Sequence, residues 1–193
     1  MIARFLCKIS FTFNMIERFL LQVLIASIAF FVLMNVLLRM IGITIAWADE
    51  MAVYAMVLSG FVGASLMLRA RIDPAVLLLQ EVLPKHLHHV LRAIVSGISA
   101  SFGLVLCYLC WLWFNPAALV AAGFDVAAFE AATFNFVYTN VTPIMGVPTF
   151  FFFLILPFFA VAITVHALTN LCEDLGLLDR GQDPAGLFKD EVQ

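Results

Sequence analysis

The chain has 193 residues, of which 64% are hydrophobic and 12% charged, with a formal net charge of -3 and a mean hydropathy of +1.08. A soluble domain carries charge on about a quarter of its residues, so this chain cannot clothe a water-facing surface, and its main solvent is expected to be lipid. The acidic balance offers no basic surface to nucleic acid, which excludes that class of partner.

A bilayer core about 30 Å thick takes about 20 apolar residues of helix, so charge-free windows of that length mark the spans. Residues 1–14 form a segment ahead of the first span, with Met15 as a second candidate start. The first window runs from Phe19 to Leu38, between Glu17-Arg18 and Arg39. The second runs from Met51 to Leu68, between Asp49-Glu50 and Arg69. Ala46-Trp47-Ala48 between them looks like a signal-peptidase site, but the preceding apolar run exceeds the 7–15 residues of a secretory signal and Arg39 interrupts it. The first window is therefore read as a retained span. Next comes a short helix signal: Asp73 as N-cap, Pro74 at the first helical position, then Ala75 to Leu83 before Pro84. Its Val and Leu content predicts an arm lying flat on the membrane surface. His86, His88 and His89 follow beside Lys85 and Arg92 and read as a headgroup-facing cluster in preference to a metal site.

The third window spans about Ala93 to Phe114, and the fourth about Val147 to Leu171 with Pro157 as a kink. The connection from Asn115 to Gly146 is apolar but broken by Gly, Pro and Asn. It predicts a segment at the outer interface with a helix over 117–132, exposing Asp125 and Glu130. Residues 173–193 form an acidic tail in which little order is expected. The fold class is thus an all-α membrane protein of four transmembrane helices, with residues 15–172 as the transmembrane domain. No alternation of the barrel-strand kind is present.

Lysine and arginine are retained on the cytoplasmic side. With the N-terminus inside, nine of the ten (Arg4, Lys8, Arg18, Arg69, Arg71, Lys85, Arg92, Arg180 and Lys189) fall on inner segments and only Arg39 on an outer one. Both termini and the arm between helices 2 and 3 are therefore expected in the cytoplasm.

Few residues carry chemistry. Four cysteines do not make a secreted disulfide framework, and Cys107-x-x-Cys110 lies inside an apolar run where small lipid-compatible residues are the plainer reading. Small residues recur at helical spacing: Ala55, Ser59 and Gly63 with Gly60 on the second span, and Gly97 with Ser101 and Ser96 with Ala100 on the third. Such faces let helices approach closely, either a partner's or the chain's own. Arg39, Trp47, Asp49 and Glu50 gather in the outer turn, with Trp at headgroup depth and acids at the positive end of the second helix.

This turn also carries a family likeness. An Arg closing the first helix (Arg39), Trp47-Ala48-Asp49-Glu50 opening the second, and Gly63-Ala64 before the basic turn at Arg69 resemble the small, DctQ-like membrane subunit of tripartite ATP-independent periplasmic (TRAP) transporters. Ile144 to Phe158, with Val147-Pro148 and Leu156-Pro157, is similar to the family's closing helix, and the likeness covers about Met15 to Leu171. It implies a multi-pass protein of the bacterial inner membrane that is not an enzyme. Its partners would be a large transport subunit, a periplasmic solute-binding protein and membrane lipid. It would bind no cofactor itself, sodium belonging to the large subunit, and the imported solute would be an organic acid or a similar small molecule. In this role the chain is a scaffold that packs on the large subunit and helps dock the binding protein.

The competing class is a four-helix thiol oxidoreductase using Cys107 and Cys110. Such an enzyme needs a second outer cysteine pair to relay electrons, and the outer loops contain none. A standalone exporter would need a polar site within the membrane, which the windows do not offer.

Overall fold

A computed structural model describes residues 2–177. Residues 178–193, most of the acidic tail with Arg180 and Lys189, lie outside the described residues.

Among the described residues four helices are long and apolar enough to cross a membrane. Helix α1 (Ile2–Met40) is the longest, and its 39 residues extend about 58 Å at 1.5 Å per residue. Residues 2–14, read above as a segment ahead of the spans, are the first part of this same helix. The turn at 41–45 reverses the chain into α2 (Ala46–Ala70), which ends on Arg71 in the left-handed region (φ 59°), with Arg71 and Ile72 amides bonded back to Leu68 and Met67 carbonyls. Glycine usually fills that position because it lacks a Cβ.

Helix α3 (Pro74–Val82) begins as its sequence dictates: the Asp73 side chain accepts from the Ala75 amide, and Pro74 occupies the first turn. It stops at Leu83, held extended before Pro84 by the clash a proline imposes on its predecessor. A single 3-10 turn leads into α4 (His88–Phe114), which starts five residues ahead of the third window.

The single helix expected over 117–132 is two: α5 (Pro116–Ala121) and α6 (Val126–Thr133). Gly123 (φ 65°) and Phe124 (φ 64°) are both left-handed, which no helix continues through. The fourth window likewise starts later than its apolar run suggests. Val141 and Pro148 form an antiparallel bridge closed by the Thr142 amide on the Val147 carbonyl, so helix resumes only at α7 (Phe150–Phe153) and α8 (Ile155–Asp174). The one-residue break at Leu154 lies three residues before Pro157, whose missing N–H removes the bond that would tie it to Phe153. Glu173 and Asp174, assigned above to the tail, are the last residues of α8.

Helix α8 is the hub. It packs on α4, α2 and α1, while α1 packs chiefly on α2. A dry cluster of Leu24, Ala55 and Val62, with Leu20, Leu66 and Ile155 around it, joins α1, α2 and α8 at mid-height. The bundle therefore has an end bearing Arg39 and an end bearing Arg69, with apolar packing between them.

Candidate functional site

At the Arg39 end, Arg39 Nη2 lies 3.0 Å from Asp49 Oδ2, and both side chains are more than half exposed. Asp49 stands in the first turn of α2, where a carboxylate is favoured by the helix dipole. Its other oxygen accepts from Asn35 Nδ2, and Asn35 is buried. Trp47 meets the Phe31 ring edge-on at a centroid distance of 6.1 Å. Glu50 does not join Arg39. Its Oε2 accepts from the Met145 amide at 2.9 Å and ties the α1–α2 turn to the turn before α7. Sequence reasoning grouped the residues of this turn but missed Asn35, one helical turn before Arg39 and the buried partner of Asp49.

The 115–149 segment is anchored on the end of α4. The Asn135 side chain donates to the Trp113 carbonyl at 2.6 Å and Tyr138 Oη to the Phe114 carbonyl at 2.8 Å, so two carbonyls that a helix terminus leaves open are satisfied. Burial pushes the Tyr138 phenol up from its ordinary value. Phe129 is 1% exposed in a cluster with Phe114 and Val137. Asp125 is exposed, but its carboxylate already accepts from the Ala127 and Ala128 amides as the N-cap of α6. Glu130 is half-buried one turn further on.

At the Arg69 end the side chains are buried and densely paired. Arg69 donates to Asn170 Oδ1 and to both oxygens of Glu173, at 2.8 and 3.2 Å. Arg71 donates to Asp174, to Glu173 at 3.2 Å and to the Asn170 carbonyl at 2.9 Å. Asn170 Nδ2 returns a bond to the Leu68 carbonyl, and Ser96 on α4 donates to Asp174 at 3.1 Å. Arg69 Nε has no partner, but the two arginines and two carboxylates neutralise one another and are bonded across three helices. Buried charges persist only under that condition. Deeper by one turn, His166 bridges α1 and α8: Nδ1 is 2.7 Å from Ser10 Oγ and Nε2 3.0 Å from Glu17 Oε2, all three residues being fully buried. Sequence reasoning singled out Arg69 as part of a basic turn, read Glu17 and Glu173 as flanking charges, and missed the pairings. Asn170 and Glu173, one face of a helix with His166 at the preceding turn, was the signal available.

The small residues divide. A Cβ on Gly103 would sit 2.3 Å from Thr164 Oγ1 and 3.1 Å from the Thr164 Cα, so α4 and α8 touch at their backbones there. At Gly60, Gly63 and Gly97 no atom lies within 4 Å of such a Cβ. Gly97 and Ser101 floor a shallow groove between Ile94, Ile98, Phe102 and Val105 on the outside of α4. Both Cys107 and Cys110 are free thiols, with Cys107 Sγ 3.9 Å from Thr164 Oγ1 and Cys110 buried. No observation supports the thiol oxidoreductase.

Residues 28–177 match the family model described as tripartite ATP-independent periplasmic transporters, DctQ component. No curated protein and no solved structure matches the chain. The chain belongs to the DctQ family and is a multi-pass membrane component of a TRAP transporter.

Proposed function

As a DctQ component, we propose, the chain is the fixed small subunit of a sodium-coupled importer, seated in the bacterial inner membrane and serving as scaffold to a large transport subunit. What carries this reading is the placement of its polar groups. Solute and ion sites in transporters gather ionisable side chains and broken backbone at the membrane midplane. Here the arginine ion pairs belong to the two ends of the bundle, the buried His166–Glu17 contact lies one turn inside the Arg69 end, and the mid-height cluster joining α1, α2 and α8 is aliphatic. The break at Leu154 is flanked by Phe153 and Ile155, not by polar residues. The solute, an organic acid or similar molecule, and its sodium then belong to the large subunit.

Three further features fit this role. The excess of Lys and Arg on one side favours termini and α3 in the cytoplasm. Leu77, Leu78, Leu79 and Val82 of α3 are exposed within the chain, as a helix lying in the headgroup layer requires. The opposite end offers exposed Asp125 and half-buried Glu130 to basic residues of a periplasmic binding protein, a contact that would act mainly on association rate. The outward faces at Gly60, Gly63 and Gly97 suit helices of the large subunit.

Uptake in proteoliposomes under a sodium gradient, with the binding protein supplied outside, tests this. Uptake is expected only when the large subunit and this chain are both present. Full uptake by the large subunit without this chain would end the scaffold role, and uptake by this chain alone would place a solute path within it.

A further inference from the structure

Five buried side-chain atoms among the described residues lack a hydrogen-bond partner, and four of them (Asn14 Nδ2, Glu17 Oε1, Ser65 Oγ and Arg69 Nε) lie toward the Arg69 end of α1 and α2. The register of the helices places them within roughly two turns of one another. Arg69 and Asn170 are bonded across α2 and α8, so Ser65 and His166, each four residues earlier, lie one turn deeper on the same two faces. His166 is itself bonded to Glu17 and Ser10 of α1. On the α1–α2 side, Leu20 and Leu66 flank the same cluster, and the helices are antiparallel, so three residues before Leu20 and three after Leu66 bring Glu17 level with Arg69. Ser10, Asn14, Glu17, Ser65 and His166 are all 2% exposed or less.

Burial of so many unpaired groups is costly, and native proteins resolve it with a ligand or ordered water. The donor and acceptor types select between candidates. Asn14 Nδ2 and Arg69 Nε are donors and require an acceptor, whereas Glu17 Oε1 requires a donor. A metal cation would suit Glu17 but would face two N–H groups and a guanidinium. An anion would suit the donors but would face the carboxylate. A species that both accepts and donates satisfies the whole set, with the Ser65 hydroxyl serving in either sense.

We propose that α1, α2 and α8 enclose an internal water site at the Arg69 end, in which one or more ordered waters bridge Asn14, Glu17, Ser65 and Arg69. The waters complete the hydrogen bonding of these groups beneath the Arg69–Glu173 pair and bind the first four turns of α1 to the rest of the bundle. This site is independent of the transport role and stands or falls on its own.

Two measurements test it on the full-length chain in its complex. In a structure at about 2 Å, density within hydrogen-bonding distance of Asn14 Nδ2 and Glu17 Oε1 is expected to refine as water. A direct Asn14–Glu17 contact, or density refining as a metal or halide, would overturn the proposal. In X-ray radiolytic labelling, which generates hydroxyl radicals from bound water, the peptide bearing fully buried His166 should be oxidised in the wild type. In Asn14→Leu/Glu17→Met that oxidation should fall to the level of the peptide bearing Phe129, which is buried in a dry aromatic cluster. Labelling of His166 no higher than that of Phe129 in the wild type would itself refute the site, whether or not the double variant folds.

Discussion

Arg39 and Asp49 meet at 3.0 Å, yet with both side chains more than half exposed their attraction is screened and worth about 0.2–1 kcal/mol. The buried member of this group is Asn35, whose amide loses its partner if Asp49 is removed. An unsatisfied buried donor costs about 1–3 kcal/mol. The expected order in detergent, from thermal unfolding followed by tryptophan fluorescence, is therefore a small loss for Arg39→Ala and a clearly larger one for Asp49→Ala. Equal losses would mean that the Asn35 contact contributes nothing. The sequence makes Arg39 and the Asp49-Glu50 pair conspicuous because they interrupt apolar runs. Asn35 is a single uncharged residue within such a run, and only the folded distance identifies its role. The same holds more strongly for Ser10, Glu17 and His166, where residues 149 and 156 positions apart are bonded. Nothing local to any of them names the partner.

Helices were legible where their signals are local. Charge-free windows located the four spans, and Asp73, Pro74 and Pro84 set the bounds of α3. Where boundaries depend on tertiary contacts they were not legible. Residues 1–14 read as a segment ahead of the first span, although Ser10 is bonded to His166 and Phe13 lies 5.7 Å from Phe158 of α8. The split of 117–132 into α5 and α6 depends on left-handed Phe124, which no propensity favours. It also changes how the acidic surface should be probed. Asp125 caps α6, so Asp125→Lys removes a cap worth about 0.5–2 kcal/mol along with the charge, whereas Asp125→Ser keeps a capping oxygen. Asp125→Ser with Glu130→Gln is expected to leave the unfolding midpoint near wild type and to slow association of the binding protein in a salt-sensitive way. An unchanged association rate would remove this face from docking. Between helices, the glycines allow a similar separation. Gly103→Ala drives a methyl into Thr164 and should destabilise the isolated chain by about 1–3 kcal/mol. A Cβ at Gly97 meets nothing within 4 Å, so Gly97→Leu should leave the chain's stability near wild type while lowering recovery of the large subunit. If Gly97→Leu lowers neither, the α4 groove is a lipid-facing surface.

At the scale of the whole molecule, one asymmetry organises the bundle. The Arg69 end is closed by buried ion pairs drawing on α2, α4 and α8, with His166 bridging to α1 just beneath, while the Arg39 end is held by an exposed ion pair and a loop seated on the carbonyls of α4. Apolar packing joins them, and Gly60, Gly63 and Gly97 look away from the chain. This form fits the scaffold role proposed above, and the family's tripartite composition implies the kind of neighbour. The most direct test is to tag this chain at its C-terminus, purify it from native membranes in mild detergent, and identify what accompanies it by mass spectrometry. A large TRAP membrane subunit recovered in equal amount is the predicted result, and recovery of this chain without any such subunit would contradict the account.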